Sequence, residues 1–292
     1  MAITTSNSSE LTQEIVQRIL VQPLETASVF LASGPRIFDT DGSPVRIPKL
    51  NAAGTATFVA EGTAIPEADH DFGEIELLAS AMKSVKVMTR VSNELRRQSV
   101  IALDTALRDR LVTDVASALD RAFINGTATN EPKGILHYDG VTVAGSAIGT
   151  ATTDHLYTAL QSAMDANVDV ASTRWMMTPR DYVALHKLKD ADGRYLISPN
   201  PQQGAASTLL GLPVTVTSRI PGGTTGGTAT VVLADFGQIA VARDQSPTVT
   251  ILDQTFGDYD QTAIRVTARY DAAPMNAAAV VHLRGITAWG TA

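Results

Sequence analysis

The stretch IALDTALRDRLVTDVASALDRAF, Ile101 to Phe123, governs how the rest of the chain must be read. Leu103, Leu107, Leu111, Val115 and Leu119 recur at four-residue spacing, and Asp104–Arg108 and Arg110–Asp114 are placed for i,i+4 ion pairs. The pattern predicts one helix of about 23 residues, roughly 35 Å at 1.5 Å per residue. Asn125-Gly126 supplies its C-terminal stop. The apolar stripe is narrow and the opposite face charged, so the helix is expected to lie across a surface rather than through a core.

Toward the N-terminus, Leu11, Ile15, Val16 and Ile19 share one helical face after a Ser8-Ser9 cap, and Ser33-Gly34-Pro35 closes the segment. Such an amphipathic arm needs a partner surface. Arg36–Thr40, Asp41-Gly42 and Val45–Leu50 then read as a hairpin with a type I′ turn. From Asn51 to Gly73 the chain is small and acidic, and Ile75–Val91 answers as an extended return in which Val85, Val87, Thr89 and Val91 alternate. Two extended runs around this tip predict a long projecting hairpin. Its apolar residues Phe58, Val59, Ile65 and Phe72 have no evident intramolecular cover, the mark of a contact surface.

Toward the C-terminus, Asp154–Asp165 is helical, Arg174–Met177 is a buried strand, and Thr178-Pro179-Arg180-Asp181 opens a further helix that Asp192-Gly193 ends. Leu212–Thr217 and Val231–Leu233 read as strands on either side of the glycine-rich Gly222–Gly227 loop. Four more strands are expected at Ile239–Ala242, Val249–Leu252, Gln261–Tyr270 and Ala278–Leu283, with a polar, acidic loop at Asp253–Asp260. In Gln261–Tyr270 the residues Ile264, Val266 and Ala268 alternate with Arg265, Thr267 and Arg269, giving one wet face. The fold class is α+β.

Composition narrows the function. The 292 residues carry a formal charge of −7 and no cysteine. Thiolate metal sites, iron–sulfur clusters, cysteine nucleophiles and disulfides are excluded. No basic block occurs, so electrostatic capture of nucleic acid by the whole chain is not expected. No apolar run reaches the 18 residues of a membrane span and the first ten residues lack a secretory pattern, so no membrane partner is predicted. The five histidines are scattered without HExxH and read as surface or helix-end residues. Asp39–Gly42 and Asp190–Gly193 lack the later ligands of a calcium loop and read as turns. There is no GxSxG elbow, and Gly222–Gly227 lacks the Lys-Ser/Thr of a phosphate loop. No enzyme, cofactor or metal site is predicted.

Several phrases, taken in order, resemble the major capsid proteins of tailed bacteriophages with the Hong Kong 97-type shell fold. FVAEGTAIPEADHDFGEIEL (Phe58–Leu77) is similar to the tip and return of that family's E-loop. VSNELRRQS (Val91–Ser99) precedes the spine helix, and FINGTATNEPKGIL (Phe123–Leu136) resembles the junction after it. WMMTPRDYVALHKLKDADGRYLI and LLGLPVTVT look like the A-domain, and VVLADFGQIAVARD looks like the return to the P-domain. The resemblance implies an N-arm at 1–44, an E-loop at 45–90, a P-domain at 91–126 and 236–276, and an A-domain at 127–235 and 277–292. It places inter-subunit contacts at Phe58, Val59, Glu61, Ile65 and Phe72 of the E-loop, inter-capsomer contacts at Asp253, Phe256, Asp258 and Tyr259 of the P-loop (253–260), and arm contacts at Leu11, Ile15 and Ile19.

The implied function is a structural subunit that self-assembles as hexamers and pentamers into an icosahedral shell enclosing double-stranded DNA without sequence-specific binding. Its place is the virion, after assembly in the host bacterial cytoplasm. The alternative is an encapsulin-like nanocompartment shell enclosing cargo enzymes. Portal and decoration or cement proteins are implied partners. Because the sequence opens directly on the arm, a separate scaffolding protein is expected rather than a leading scaffolding segment. The family's lysine–asparagine self-crosslink is not expected, since Leu50–Met82 has no lysine and Asp253–Asp260 no asparagine.

Overall fold

A computed structural model gives the architecture and describes residues 28–52, 58–60, 62, 71–78, 83–94, 103–143, 147–190, 192–197, 208–222 and 227–290. In chain order the first half contains α1 (Val29–Ala32), β1 (Arg36–Asp39), β2 (Val45–Ala52), β3 (Asp71–Leu77), β4 (Ser84–Ser92) and α2 (Leu103–Asn125). Then come β5 (Val141–Val143), β6 (Gly149–Ala151), α3 (Thr153–Asp165), β7 (Thr173–Met177) and α4 (Pro179–His186). The remainder is β8 (Thr208–Leu209), β9 (Leu212–Val216), β10 (Ala229–Asp235), β11 (Ile239–Phe256), β12 (Gln261–Pro274) and β13 (Val280–Trp289).

The strands form three sheets. One has four strands in the order β1-β11-β12-β4; a second has seven, running β5-β13-β10-β7-β9-β8 with β6 also paired to β13; the third is the β2–β3 ribbon. The α2 helix is the element common to both large sheets. Leu111, Val115, Leu119 and Phe123 pack with Ile264, Val266 and Tyr270 of β12, and the same core takes Met176, Val232, Ala234 and Val280 from the back of the seven-stranded sheet. The other face of that sheet meets α3 and α4 through Trp175, Val231, Leu233 and Leu283 against Leu156, Ala159 and Leu185.

This corrects the expectation of a helix lying on a surface. Val112, Ala116, Ala122 and Ile124 are buried beside the leucine stripe, so the covered face is broad. The buried Asp120 on that helix accepts from Ser28 Oγ at 2.6 Å, Val29 N at 2.9 Å and Phe30 N at 3.1 Å, anchoring α1 and setting Phe30 on Phe123 with ring centroids 4.9 Å apart. The helix ends where expected. Gly126 is not in the left-handed region; a Cβ there would lie 2.0 Å from the Pro132 carbonyl oxygen, so the glycine is required by close backbone approach.

Other expectations also change. Arg36–Thr40 and Val45–Leu50 are not a hairpin. β1 pairs in parallel with β11, and β2 pairs antiparallel with β3. Asp41 does not reach positive φ, so the bend is not type I′; Arg243 instead reaches Asp39, Nη2 donating to Oδ2 at 2.9 Å, and ties β1 to its neighbour. The return Ile75–Val91 is split: β3 ends at Leu77, and β4 belongs to the four-stranded sheet. Thr178 and Pro179 do start α4, but it ends at His186, and Asp190–Arg194 is a separate turn held by Asp190 Oδ1. Ile239–Ala242 and Val249–Leu252 are one strand with register shifts, which runs on to Phe256, so Asp253–Asp260 contracts to a turn at Gly257–Tyr259. His282 is neither surface nor helix-end; it is fully buried on β13. The arm residues Leu11, Ile15, Val16 and Ile19 and the Asp104–Arg108 pair lie outside the described residues and side chains, whereas Arg110–Asp114 pairs at 3.1 Å.

Candidate functional site

The surfaces of interest grow from the four-stranded sheet. The β2–β3 ribbon pairs Val45 with Leu77, Ile47 with Ile75 and Leu50 with Phe72. Cross-strand Arg46 meets Glu76 at 3.0 Å on the exposed side. The ribbon's root is apolar: Leu77 and Leu78 pack on Ala240 and Ala242, with Val45, Ile47, Phe38, Ala273 and Met275 around them. Leu78 holds φ +59, a conformation that β-strand continuation would not give, and it turns the chain off the ribbon.

One buried carboxylate fixes that bend. Asp271 of β12 accepts from Leu78 N at 2.9 Å and Lys83 Nζ at 2.7 Å, and its own neighbour Ala272 N donates to it at 3.0 Å. The pair is mostly covered, with side-chain exposures of 19% for Lys83 and 5% for Asp271, so attraction between the two charges is weakly screened. Neither residue stands out by local sequence spacing. The signal was an acid on an otherwise apolar run, RYDAAP, which only pairing across about two hundred residues explains.

The residues expected to make contacts fall into groups. Phe58 is fully exposed, Phe72 is 74% exposed, and Val59 is exposed beside Phe58. Glu61 and Ile65 lie outside the described residues, as do the arm residues Leu11, Ile15 and Ile19. At the far end of the sheet, Tyr259 is 74% exposed and Asp258 is exposed, while Phe256 is half-covered because the Arg90 guanidinium sits 3.9 Å over its ring. Asp253 lies on β11, its side chain outside those described. This turn is tied to the end of β4 by Asn93, which donates through Nδ2 to Asp260 Oδ1 at 2.7 Å and through its backbone N–H to the Asp260 carbonyl at 3.0 Å. Asp260 takes φ +51 to make that closure. Asn93 is a third residue that sequence spacing could not single out.

Three titrating groups have identifiable causes. The Arg243 hydrogen bond and charge hold Asp39 below the usual carboxylate range, against a smaller opposing effect of burial. Burial pushes Tyr138 far upward, with the Asp271 charge adding to it. Burial lowers His282, partly offset by its contact with the Ile135 carbonyl, while Arg284 and His137 lower it further. His282 Nε2 lies 2.9 Å from that carbonyl oxygen, which only accepts, so Nε2 carries the proton. Among the described residues no three histidine or carboxylate side chains converge as a metal site.

The architecture is that of capsid subunits. The structure superposes on a chain from the capsid of a native GTA particle, computed with C5 symmetry, with a TM-score of 0.73, 20% identity, and coverage of 88% of this chain and 89% of that one. At that identity the likeness is one of fold, and it agrees with the Hong Kong 97-type expectation. The chain belongs to the phage capsid family, whose model matches residues 11–285. It is 24% identical over 256 residues to the major capsid protein of Klebsiella oxytoca phage phiKO2, covering 84% of this chain and 58% of that protein. It is 25% identical over 274 residues to the capsid polyprotein of Pseudomonas phage PAJU2, covering 85% of this chain and 40% of that protein. The chain thus spans about half the length of these curated relatives.

Proposed function

We propose that this chain is the structural major capsid protein of a tailed phage, assembling as hexamers and pentamers into an icosahedral shell around double-stranded DNA. The observation that carries the reading is the near full-length agreement of fold with a capsid chain, a TM-score of 0.73 over 88% of the residues. The relatives are phage capsid proteins, which favours a virion shell over a compartment for cargo enzymes. The exposed Phe58, Val59 and Phe72 supply apolar area for a neighbouring subunit, and the Gly257–Tyr259 turn offers Tyr259 and Asp258 for contacts between capsomers.

In this reading the segments keep the expected order, with N-arm, E-loop, P-domain and A-domain. Ser28–Asp39 and β4 are joined to the P-domain by Asp120 and by strand pairing. Head-to-tail contacts between identical subunits generate rings, and repetition lets individually weak contacts hold a large particle. A scaffold, a portal and outer decoration proteins are the partners such a shell takes. Its net charge of −7 leaves the packaged DNA unadsorbed.

Sedimentation and negative-stain imaging of the protein, expressed alone and with its neighbouring genes, test the proposal. Closed particles of megadalton mass are expected. A monomer of 30.8 kDa in both preparations would reject it.

A further inference from the structure

A cavity of about 240 Å³ lies between α2 and residues 216–219, the segment that leaves β9. Buried Ala116 and Asp120 close it on the side of α2, with half-buried Val29 and Val216 beside them. Exposed Ser218 and Arg219 stand at its mouth. The segment carrying the arginine is held in place. Arg219 N donates to Thr217 Oγ1 at 3.2 Å, and Thr217 N donates to the Met177 carbonyl at 3.0 Å, which ties the turn to β7.

The polar groups around the cavity are unevenly matched. Asp120 accepts from Ser28 Oγ, Val29 N and Phe30 N, and a carboxylate has room for about four donors, so one direction remains open. Arg219 makes no ion pair among the described residues, and neither does Arg121, one helical turn from Ser117. The hydroxyls of Ser117 and Ser218 have no hydrogen-bond partner among the described residues. The cavity therefore offers an acceptor in its depth, a cation at its mouth, and hydroxyls between them.

We propose that this cavity binds an acidic peptide segment of a partner protein, with a backbone N–H of the segment on Asp120 and a carboxylate side chain on Arg219. Ser117 and Ser218 then donate to the segment's carbonyls, and Val29, Ala116 and Val216 cover its Cα carbons. A peptide fits because every residue carries both a donor and an acceptor. A free inorganic anion meets the Asp120 charge with no donor to offset it. A double helix is too broad for a cavity of this size, and the chain's charge of −7 opposes a long polyanion. The inference rests on the shell-forming reading only for the source of the segment, the helper proteins such a shell takes; the binding itself belongs to the subunit.

Fluorescence anisotropy of a fluorescein-labelled hexapeptide of alternating glutamate and alanine, titrated with the purified protein, tests this. The wild type should bind it, and Arg219→Glu should weaken binding at least about tenfold, because like charges then meet at the mouth. Ser117→Phe fills the cavity without changing any charge and should weaken binding as much. Lys86→Glu makes the same charge change as a control at an exposed residue of β4 and should leave affinity within about twofold. Thermal unfolding of Arg219→Glu should match the wild type, which keeps the test decisive even if Ser117→Phe does not fold. No binding by the wild type, equal binding by Arg219→Glu, or a matching loss in Lys86→Glu would overturn the proposal. So would displacement of the peptide by an equal concentration of free glutamate or of a short DNA duplex. A chain that forms closed particles but binds no peptide loses only this site; a monomer that binds the peptide loses only the shell reading.

Discussion

In the seven-stranded sheet, β10 gives Val231 and Leu233 to the core with α3 and α4, and Val232 and Ala234 to the core with α2. In the four-stranded sheet, β12 gives Ile264, Val266 and Ala268 to α2 but turns Arg265, Thr267 and Arg269 outward. The primary structure differs accordingly: VVLA (Val231–Ala234) is a continuous apolar run, whereas IRVTAR alternates. A strand buried on both faces reads as a near-continuous apolar run, while a strand buried on one face repeats with period two. The first sheet is closed within the subunit. The second keeps one face available, and the projecting ribbon is rooted beside that face.

Substitutions that act on one region without the other sharpen this contrast. The largest effect on subunit stability is expected for Leu111→Asp, which puts a charge into the core shared by both sheets. A loss of about 4 kcal/mol or more, read as insolubility or an early denaturant midpoint, is the outcome predicted for an unpaired buried charge. If the variant folded normally, α2 would not be the shared core element. Asp120→Ala should cost about 2–3 kcal/mol, because it strands the donors Ser28 Oγ, Val29 N and Phe30 N in a buried place. Urea titration would show whether α1 is anchored this way.

A smaller effect should follow pH at the closed sheet. His282 has a lowered folded value, so its contribution is complete above the ordinary 6.5 and is lost as pH falls from there through that lowered value. The groups facing it are Arg284, His137 and the Ile135 carbonyl, none of which stabilises an added positive charge beyond one hydrogen bond already made through Nε2. The melting temperature of the wild type should therefore fall across this window more steeply than that of His282→Gln. Parallel curves would show that the buried imidazole does not control acid sensitivity. Least of all should stability respond to deleting residues 54–72, the tip of the ribbon together with the first two residues of β3. The subunit should melt as before while closed particles disappear; normal particles would remove the hairpin from the contact surface.

Much of this was legible in the sequence because it depends on short-range periodicity. The leucine spacing of α2, the Thr178-Pro179 helix start, and the alternation in β4 and β12 were all readable locally. The exposure of Phe58 and Phe72 could also be anticipated, since each lies in a small, acidic segment without apolar neighbours to cover it. The misreadings concern partners far apart along the chain. Arg36–Asp39 looked like half of a local hairpin because Asp41-Gly42 is a common turn pair, yet its partner is β11, about two hundred residues away. Asp271 and Asn93 had no local signature, because their hydrogen-bonding partners are 193 and 167 residues distant.

The sequence by itself determined which segments are helix or strand, which strands are wet on one side, and where the negative charge is concentrated. These follow from the 3.6- and 2-residue periods and from composition, both local properties. Tertiary structure alone decided that α2 is sandwiched between two sheets, that β1 joins β11, and that Asp271 holds the root of the ribbon. Those outcomes depend on which distant surfaces bury one another, and on the need of each buried donor and acceptor for a partner wherever in the chain it lies.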